Sequence, residues 1–263
     1  MSRFNEIDFD NWKESEIITD SLWLFQTRSN HGKHCGNYHG NFIPQIPNQL
    51  MLRYTVKDDI VFDPFIGSGT TAFEAENLGR RVIGVELNSE LVDNVRKRLD
   101  KKENRAIIFD ADSTSNSVLD SIDLALRKMD KKYYQLAILH PPYYDIIQFS
   151  SNSNDLSNSL TIDDFLLKLE AVIKNAIVNL EPGRYLALIM GDKYYKSEWI
   201  PLGFKCMEVV QNVGLKLKSI IVKDIQGNRG KRGQDNIWRY RALKSDYYIF
   251  KHEYIFLFKK EVK

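Results

Sequence analysis

From about Asp59 onward, short β-branched runs alternate with stretches whose apolar residues recur every three or four positions. Ile60-Val61-Phe62, Val82 to Val85, Ala106 to Phe109, Leu136 to Leu139 and Tyr185 to Ile189 are predicted as strands. Thr70 to Leu78, Asn88 to Leu99 and Asp163 to Leu180 have helical spacing, and Pro182-Gly183 is expected to stop the last of them. Strands alternating with helices predict an α/β fold, a mainly parallel sheet covered on both faces. Lys216 to Lys223 and Tyr247 to Lys259 follow one another with a polar loop and no clear helix between, so they are expected to pair antiparallel at the sheet edge. That gives seven strands, five parallel plus a C-terminal antiparallel pair. Residues 1–54 form an N-terminal segment, with a helix expected from Pro47. Residues 55–263 form the main domain, with 224–245 as an inserted basic loop. The Ser/Asn-rich stretch from Ser150 to Ser159 is the one candidate mobile loop.

Composition narrows the class. With 263 residues and 43% apolar content the chain can bury a full core, and 37 Lys/Arg against 35 Asp/Glu leave a net charge of only +2. A polyanionic partner must therefore be argued from local clusters. Cys35 and Cys206 are too few and too far apart for a disulfide framework or a zinc cluster; no metal is expected. The charged start and the lack of a long apolar run predict a soluble, unprocessed, cytoplasmic protein with no membrane association.

Asp63-Pro64-Phe65-Ile66-Gly67-Ser68-Gly69-Thr70-Thr71 lies between a strand and a helix, where a parallel sheet leaves a ligand crevice. Gly67 and Gly69 permit a tight turn and close backbone approach. Glu86, with Leu87 after it, closes the next strand about 20 residues on, where a carboxylate accepts ribose hydroxyls. Asp112, past the third strand, is placed to accept from an adenine amine. No Lys follows the final Gly, so the loop is not a phosphate cradle of the P-loop kind. Asp63 suits a ligand with its own positive charge. A bare glycine turn accounts for Gly-x-Gly alone, but not for this set of acids in register; S-adenosylmethionine, with sulfonium, amine, ribose and adenine, matches it.

The fourth strand runs into His140-Pro141-Pro142-Tyr143-Tyr144-Asp145. Two prolines stiffen the chain and leave carbonyls without competing N–H neighbours. An exocyclic amine on adenine or cytosine is a poor nucleophile because its lone pair is delocalised. Two acceptors that take its hydrogens, His140 and the Pro141 carbonyl, free that lone pair, and Tyr143 offers a ring on which the base stacks. A duplex base reaches such a slot only when flipped out. A neutral imidazole has one acceptor nitrogen and imidazolium none, so transfer is expected to fall below the ordinary imidazole pKa of ~6.5.

Together the Asp63-Pro-Phe-Ile-Gly-Ser-Gly-Thr-Thr and His140-Pro-Pro-Tyr motifs resemble those of the bacterial DNA amino-methyltransferases that act on adenine N6 or cytosine N4. The seven-stranded arrangement is similar to that of S-adenosylmethionine-dependent methyltransferases. The resemblance spans about Tyr38 to Lys260, and by it Tyr38-His-Gly-Asn-Phe-Ile-Pro-Gln-Ile-Pro closes over the methionine part of the cofactor, placing Phe42, Ile43 and Pro44 at the site. It also implies site-specific DNA methylation in a restriction-modification setting. The family usually has Asp, Asn or Ser where this chain has His140, which leaves adenine and cytosine both open. An RNA or protein-amide substrate on the same fold, and a non-catalytic nucleic-acid-binding subunit, are the alternatives.

The stretch from Lys223 to Lys244, which joins the last two strands, holds seven Lys/Arg against two Asp. Arg229, Lys231, Arg232, Trp238, Arg239 and Arg241 are candidates for phosphate and base contacts. Asn154, Asp155 and Ser157 are expected to form a lid over the flipped base, and Gly191-Asp192-Lys193 to lie on its rim. Specificity is expected from the inserted loops, the N-terminal segment or a partner subunit; a homodimer and a cognate restriction endonuclease are further expected partners.

Overall fold

The computed structural model describes the chain apart from residues 1–3, 35–37, 39, 101–104, 197, 226–234 and 263. Its strands are β1 (Leu22–Trp23), β2 (Ile60–Asp63), β3 (Arg81–Glu86), β4 (Ala106–Asp110), β5 (Tyr134–Leu139), β6 (Leu180–Met190), β7 (Lys193–Tyr195), β8 (Glu198–Ile200), β9 (Lys216–Asp224) and β10 (His252–Lys259). Its helices are α1 (Gln45–Tyr54), α2 (Thr70–Asn77), α3 (Ser89–Arg98), α4 (Val118–Lys128), α5 (Ile162–Val178), α6 (Leu202–Asn212) and α7 (Asp235–Lys244). All four residues of β2 are buried, as a strand covered on both faces must be. Helices begin where side chains can satisfy free N–H groups: Asn88 accepts from Glu90 N at 3.0 Å to start α3, and Thr161 from Asp164 N at 3.1 Å to start α5.

The main sheet has the order β1-β9-β10-β6-β5-β2-β3-β4, and β7-β8 is a separate hairpin. The expected parallel five are present as β4, β3, β2, β5 and β6. The strand count is corrected from seven to eight plus a two-stranded hairpin. The addition is β1, which pairs parallel with β9 at the edge, Leu22 beside Val222 and Trp23 beside Lys223. The expected β9–β10 pair is antiparallel, and β10 lies inside it, antiparallel to β6 as well. Pro182-Gly183 does not separate helix from strand. It lies within β6, where Gly183 takes a positive φ of 83° and donates to the Lys260 carbonyl at 2.7 Å. Two further boundaries move: α1 starts at Gln45 rather than Pro47, and β10 at His252 rather than Tyr247.

One core lies under α4, α5 and α6, and the other joins α1, α2 and α3 to the opposite face. Chain order reverses between β2 and β5, the switch point at which the loops leaving the carboxyl ends of both strands open a crevice. The N-terminal segment is part of this packing. Trp23, Phe42, Ile46, Leu50 and Met51 all belong to the α1–α3 core.

Candidate active site

The glycine loop leaves β2 through Asp63, which is 1% exposed. Its Oδ1 accepts from Phe65 N at 2.9 Å and its Oδ2 from the Thr71 hydroxyl. Gly67 and Gly69 take φ of 51° and 91°, conformations that need glycine. A Cβ on Gly69 would also meet Val95 and Phe73 at 3.0 to 3.1 Å. Thr70 then opens α2, and the Pro64 carbonyl accepts from Ser113 Oγ at 2.7 Å, which ties the loops after β2 and β4 together. Glu86, at the end of β3, accepts from Gly67 N and Asn88 N at 3.0 Å each, and half-buried Leu87 follows it. Asp112 accepts from Thr114 N and Oγ1 at 2.8 and 2.7 Å, and from Asn154 Nδ2 at 3.0 Å.

The electrostatics of this side point to one ligand type. Burial raises Asp63 to about 7, with Glu86 adding repulsion. Burial raises Glu86 too, and Asp155 acts on it in the same direction. Three carboxylates therefore act on one crevice, and what holds them is N–H and O–H groups. Such a site favours a cation.

On the other side of the switch point, His140 follows β5. Its ring meets Phe42 edge-on at 4.8 Å and Tyr143 at 5.6 Å between centroids. No described residue donates to the imidazole or to the Pro141 carbonyl, so both acceptors are open. Burial pushes the imidazole down to about 4. The value of ~6.5 holds only for an unperturbed imidazole, and this one is shifted below it. Tyr143 is held at its hydroxyl, which donates to Glu253 Oε2 at 2.7 Å. Its ring lies against Gly191, where a Cβ would come within 2.8 Å of it. Pro142 joins the two held rings.

Residues of the N-terminal segment bridge the two sides. Ser68 Oγ donates to Asn41 Oδ1 at 2.7 Å, while the next residue, buried Phe42, packs on His140. Half-buried Ile43 and buried Pro44 lead from there into α1. A Cβ on Gly67 would meet the Tyr38 ring at 3.6 Å, and burial beside Glu86 and Asp155 raises the Tyr38 phenol. Sequence reasoning did not single out Asn41 or the role of the Tyr38 ring; their signal was their place within the segment already named.

Three expectations change. The stretch expected to be mobile is pinned: Asp155 is buried and accepts from Ser150 Oγ, Ser157 N and Ser157 Oγ at 2.7 to 2.8 Å. Asn154 reaches Asp112, which ties this loop to the glycine-loop side of the crevice. Asp192 is a buried anchor rather than a rim residue, accepting from Gly203 N at 2.9 Å and Trp199 Nε1 at 3.0 Å. The inserted loop, expected to lack a helix, contains α7. Trp238, Arg239 and Arg241 lie on it, and the Arg241 guanidinium sits 5.2 Å from the Trp238 ring. Arg229, Lys231 and Arg232 lie outside the described residues.

A family model described as DNA methylase matches residues 4–97, which hold the glycine loop, Glu86 and the bridging segment. The Type II methyltransferase M.BglII of Bacillus subtilis is 37% identical over 98 residues, 34% of this chain and 27% of that one. The Type II methyltransferase M.MjaII of Methanocaldococcus jannaschii is 28% identical over 123 residues, 42% of this chain and 23% of that one. Over these stretches the chain is similar to DNA methyltransferases, and its matches to these two relatives span about a quarter of their length. TrmN from Thermus thermophilus, at 16% identity and a TM-score of 0.51 over 83% of this chain and 49% of that one, shares the fold. Fold alone does not assign a substrate, so what this chain does rests on its site. Among the described residues no helix is long and apolar enough to cross a membrane.

Proposed function

We propose that this chain is an S-adenosylmethionine-dependent DNA methyltransferase that modifies an exocyclic amine, adenine N6 or cytosine N4, on a flipped-out base. The observation that carries this is the bridge at Asn41 and Phe42, which brings the acid-lined glycine loop and the His140 slot to one crevice. The donor side fits the cofactor. Asp63 is a buried carboxylate held only by N–H and O–H groups, suited to an ammonium. Glu86 has lone pairs left for a ribose diol, and Asp112, with Asn154 latched on it, lies where the adenine would be held.

Bound S-adenosylmethionine supplies a methyl group on a sulfonium. The chain does the rest by position. Neutral His140 presents an unprotonated ring nitrogen and Pro141 a carbonyl, and each accepts one hydrogen of the amine. With both N–H bonds held, the nitrogen lone pair would be freed and neutral His140 would take the proton that the amine loses; holding this geometry would be worth orders of magnitude in rate. Tyr143, fixed by Gly191 and Glu253, sets the plane of the base. Cys206 takes no part: it is fully buried in α6, and burial pushes its thiol up. The exposed Arg239 and Arg241 of α7 supply phosphate contacts from the connection between β9 and β10, which departs from the crevice edge of the sheet. DNA is the partner, in the cytoplasm and within a restriction-modification system that includes a cognate endonuclease; a second copy or another subunit completes the grip.

The test is methyl transfer from labelled cofactor to DNA, with the product identified by nucleoside mass spectrometry. His140→Ala should keep cofactor binding by calorimetry and lose transfer by ~100-fold or more. Label appearing only in RNA or protein, or full transfer by His140→Ala, would overturn this assignment.

A further inference from the structure

Behind Tyr143 lies a charge pair that the reaction as described does not use. Glu253 opens β10 and Lys223 nearly closes β9, and the two are direct cross-strand neighbours. They are 7% and 6% exposed, with Lys223 Nζ 3.1 Å from Glu253 Oε1. The other carboxylate oxygen, Oε2, takes the Tyr143 hydroxyl at 2.7 Å. Glu253 also lies next to the end of β6, since Tyr254 pairs with Met190, and so beside Gly191, against which the Tyr143 ring rests. Stability does not account for such a pair. Removing two full charges from water is costly, and apolar residues of similar volume often serve as well or better. Tyr143 alone would need only a neutral acceptor.

We propose that Glu253 and Lys223 are positioning residues for methyl transfer: Lys223 fixes the Glu253 carboxylate, which fixes the Tyr143 phenol and hence the plane on which the target base rests. This rests on the function proposed above. Neither residue touches the reacting atoms; both act through Tyr143. Three constraints then define the ring: no Cβ beneath it at Gly191, the His140 edge beside it, and the Glu253 carboxyl at its hydroxyl. Lys223, 3.1 Å from the other carboxyl oxygen, holds that acceptor in place.

Among the described residues, Phe42, Tyr143, Glu253 and Lys223 act on His140, and the two charges oppose each other there, Glu253 raising the imidazole and Lys223 lowering it. Charge balance at the pair therefore also affects the pH range over which the neutral ring persists.

The experiment is a double-mutant cycle on single-turnover methylation with the full chain, DNA and labelled cofactor. Glu253→Gln and Tyr143→Phe should each lower the transfer rate ~10-fold or more, with cofactor affinity unchanged by calorimetry. Combined, they should be no worse than Tyr143→Phe alone, because Glu253 acts through the hydroxyl that is already absent. Lys223→Met should move the acid limb of the pH–rate profile upward from about 4. Additive losses in the double variant, or full-rate transfer by Glu253→Gln, would overturn this role while leaving the proposed function intact. Should Glu253→Gln fail to fold, the Tyr143→Phe and Lys223→Met/Tyr143→Phe pair gives the same comparison. A wild-type chain that binds cofactor and transfers nothing to DNA would overturn the proposed function, and this role with it.

Discussion

At the amino edge of the sheet, Asp59 before β2 faces Arg184 in β6, and Arg80 before β3 meets Glu6 and the carbonyls of Thr55 and Leu78. Lys260, after β10, donates to the Ile177 and Leu180 carbonyls where α5 gives way to β6. At the carboxyl edge, Asp63, Glu86 and Asp155 share a crevice and are held by backbone and hydroxyl donors. Both edges bury acids, and burial raises both Asp59 and Asp63. Only Asp59 has a guanidinium to offset it. The amino edge is internally balanced, while the carboxyl edge is left with a negative excess that a positively charged ligand would complete. Asymmetry of this kind distinguishes a binding edge from a structural one in a fold where both look equally buried.

Exchanging the acids one at a time should separate the edges most sharply. Asp63→Asn keeps the size and removes the charge, and should weaken S-adenosylmethionine binding ~100-fold by calorimetry, the scale of breaking a buried charge pair. Asp59→Asn should leave that affinity unchanged and lower unfolding stability by about 2 kcal/mol in denaturant melts, since Arg184 loses its partner. Equal effects on binding from both substitutions would erase the distinction.

A smaller effect is expected from pH. The carboxylate of Asp63 must be ionised to accept an ammonium, and its pKa in the free chain is about 7. Below that value binding has to displace a proton, so affinity should fall up to roughly tenfold per pH unit. The free chain has the opposite sign. An acid whose folded-state pKa is raised contributes stability that is present at low pH and is lost as pH rises from its unfolded value to about 7. Cofactor-induced thermal shifts should therefore be larger at about pH 8 than at about pH 6. Transfer at saturating cofactor should be level across the same range, because His140 titrates only near 4. A shared dependence of binding and rate would tie both to one group. The smallest expected change comes from Asn154→Ala, which removes the exposed latch on Asp112 and should weaken cofactor binding only ~2- to 5-fold, the scale of one surface hydrogen bond.

How much of this was legible in the sequence depended on length and periodicity. Strands β2 to β6 are apolar runs between helical stretches and were found at nearly the right places, as were the glycine loop, Glu86 and the His140 segment. β1 has two residues and β7 and β8 three each, too short to show alternation. α7 has apolar and basic residues on all sides, with Ile237, Tyr240 and Leu243 exposed, so it lacks the stripe that marks a packed helix. Pro182-Gly183 read as a break because most strands exclude proline, yet Gly183 bends the chain in place and the strand continues. The Lys223–Glu253 pair was invisible for another reason. Two charged residues in apolar strands look like solvent-facing positions until register brings them together beneath a tyrosine.

The chain reversal between β2 and β5 has a consequence for descent. The helix that follows the glycine loop packs into one core and the helix that follows the His140 segment into the other, so the two halves of the crevice are backed by different helices. Mutations that reshape the acceptor half can accumulate without loosening the donor half. A lineage built this way can vary one half of its crevice while inheriting the other.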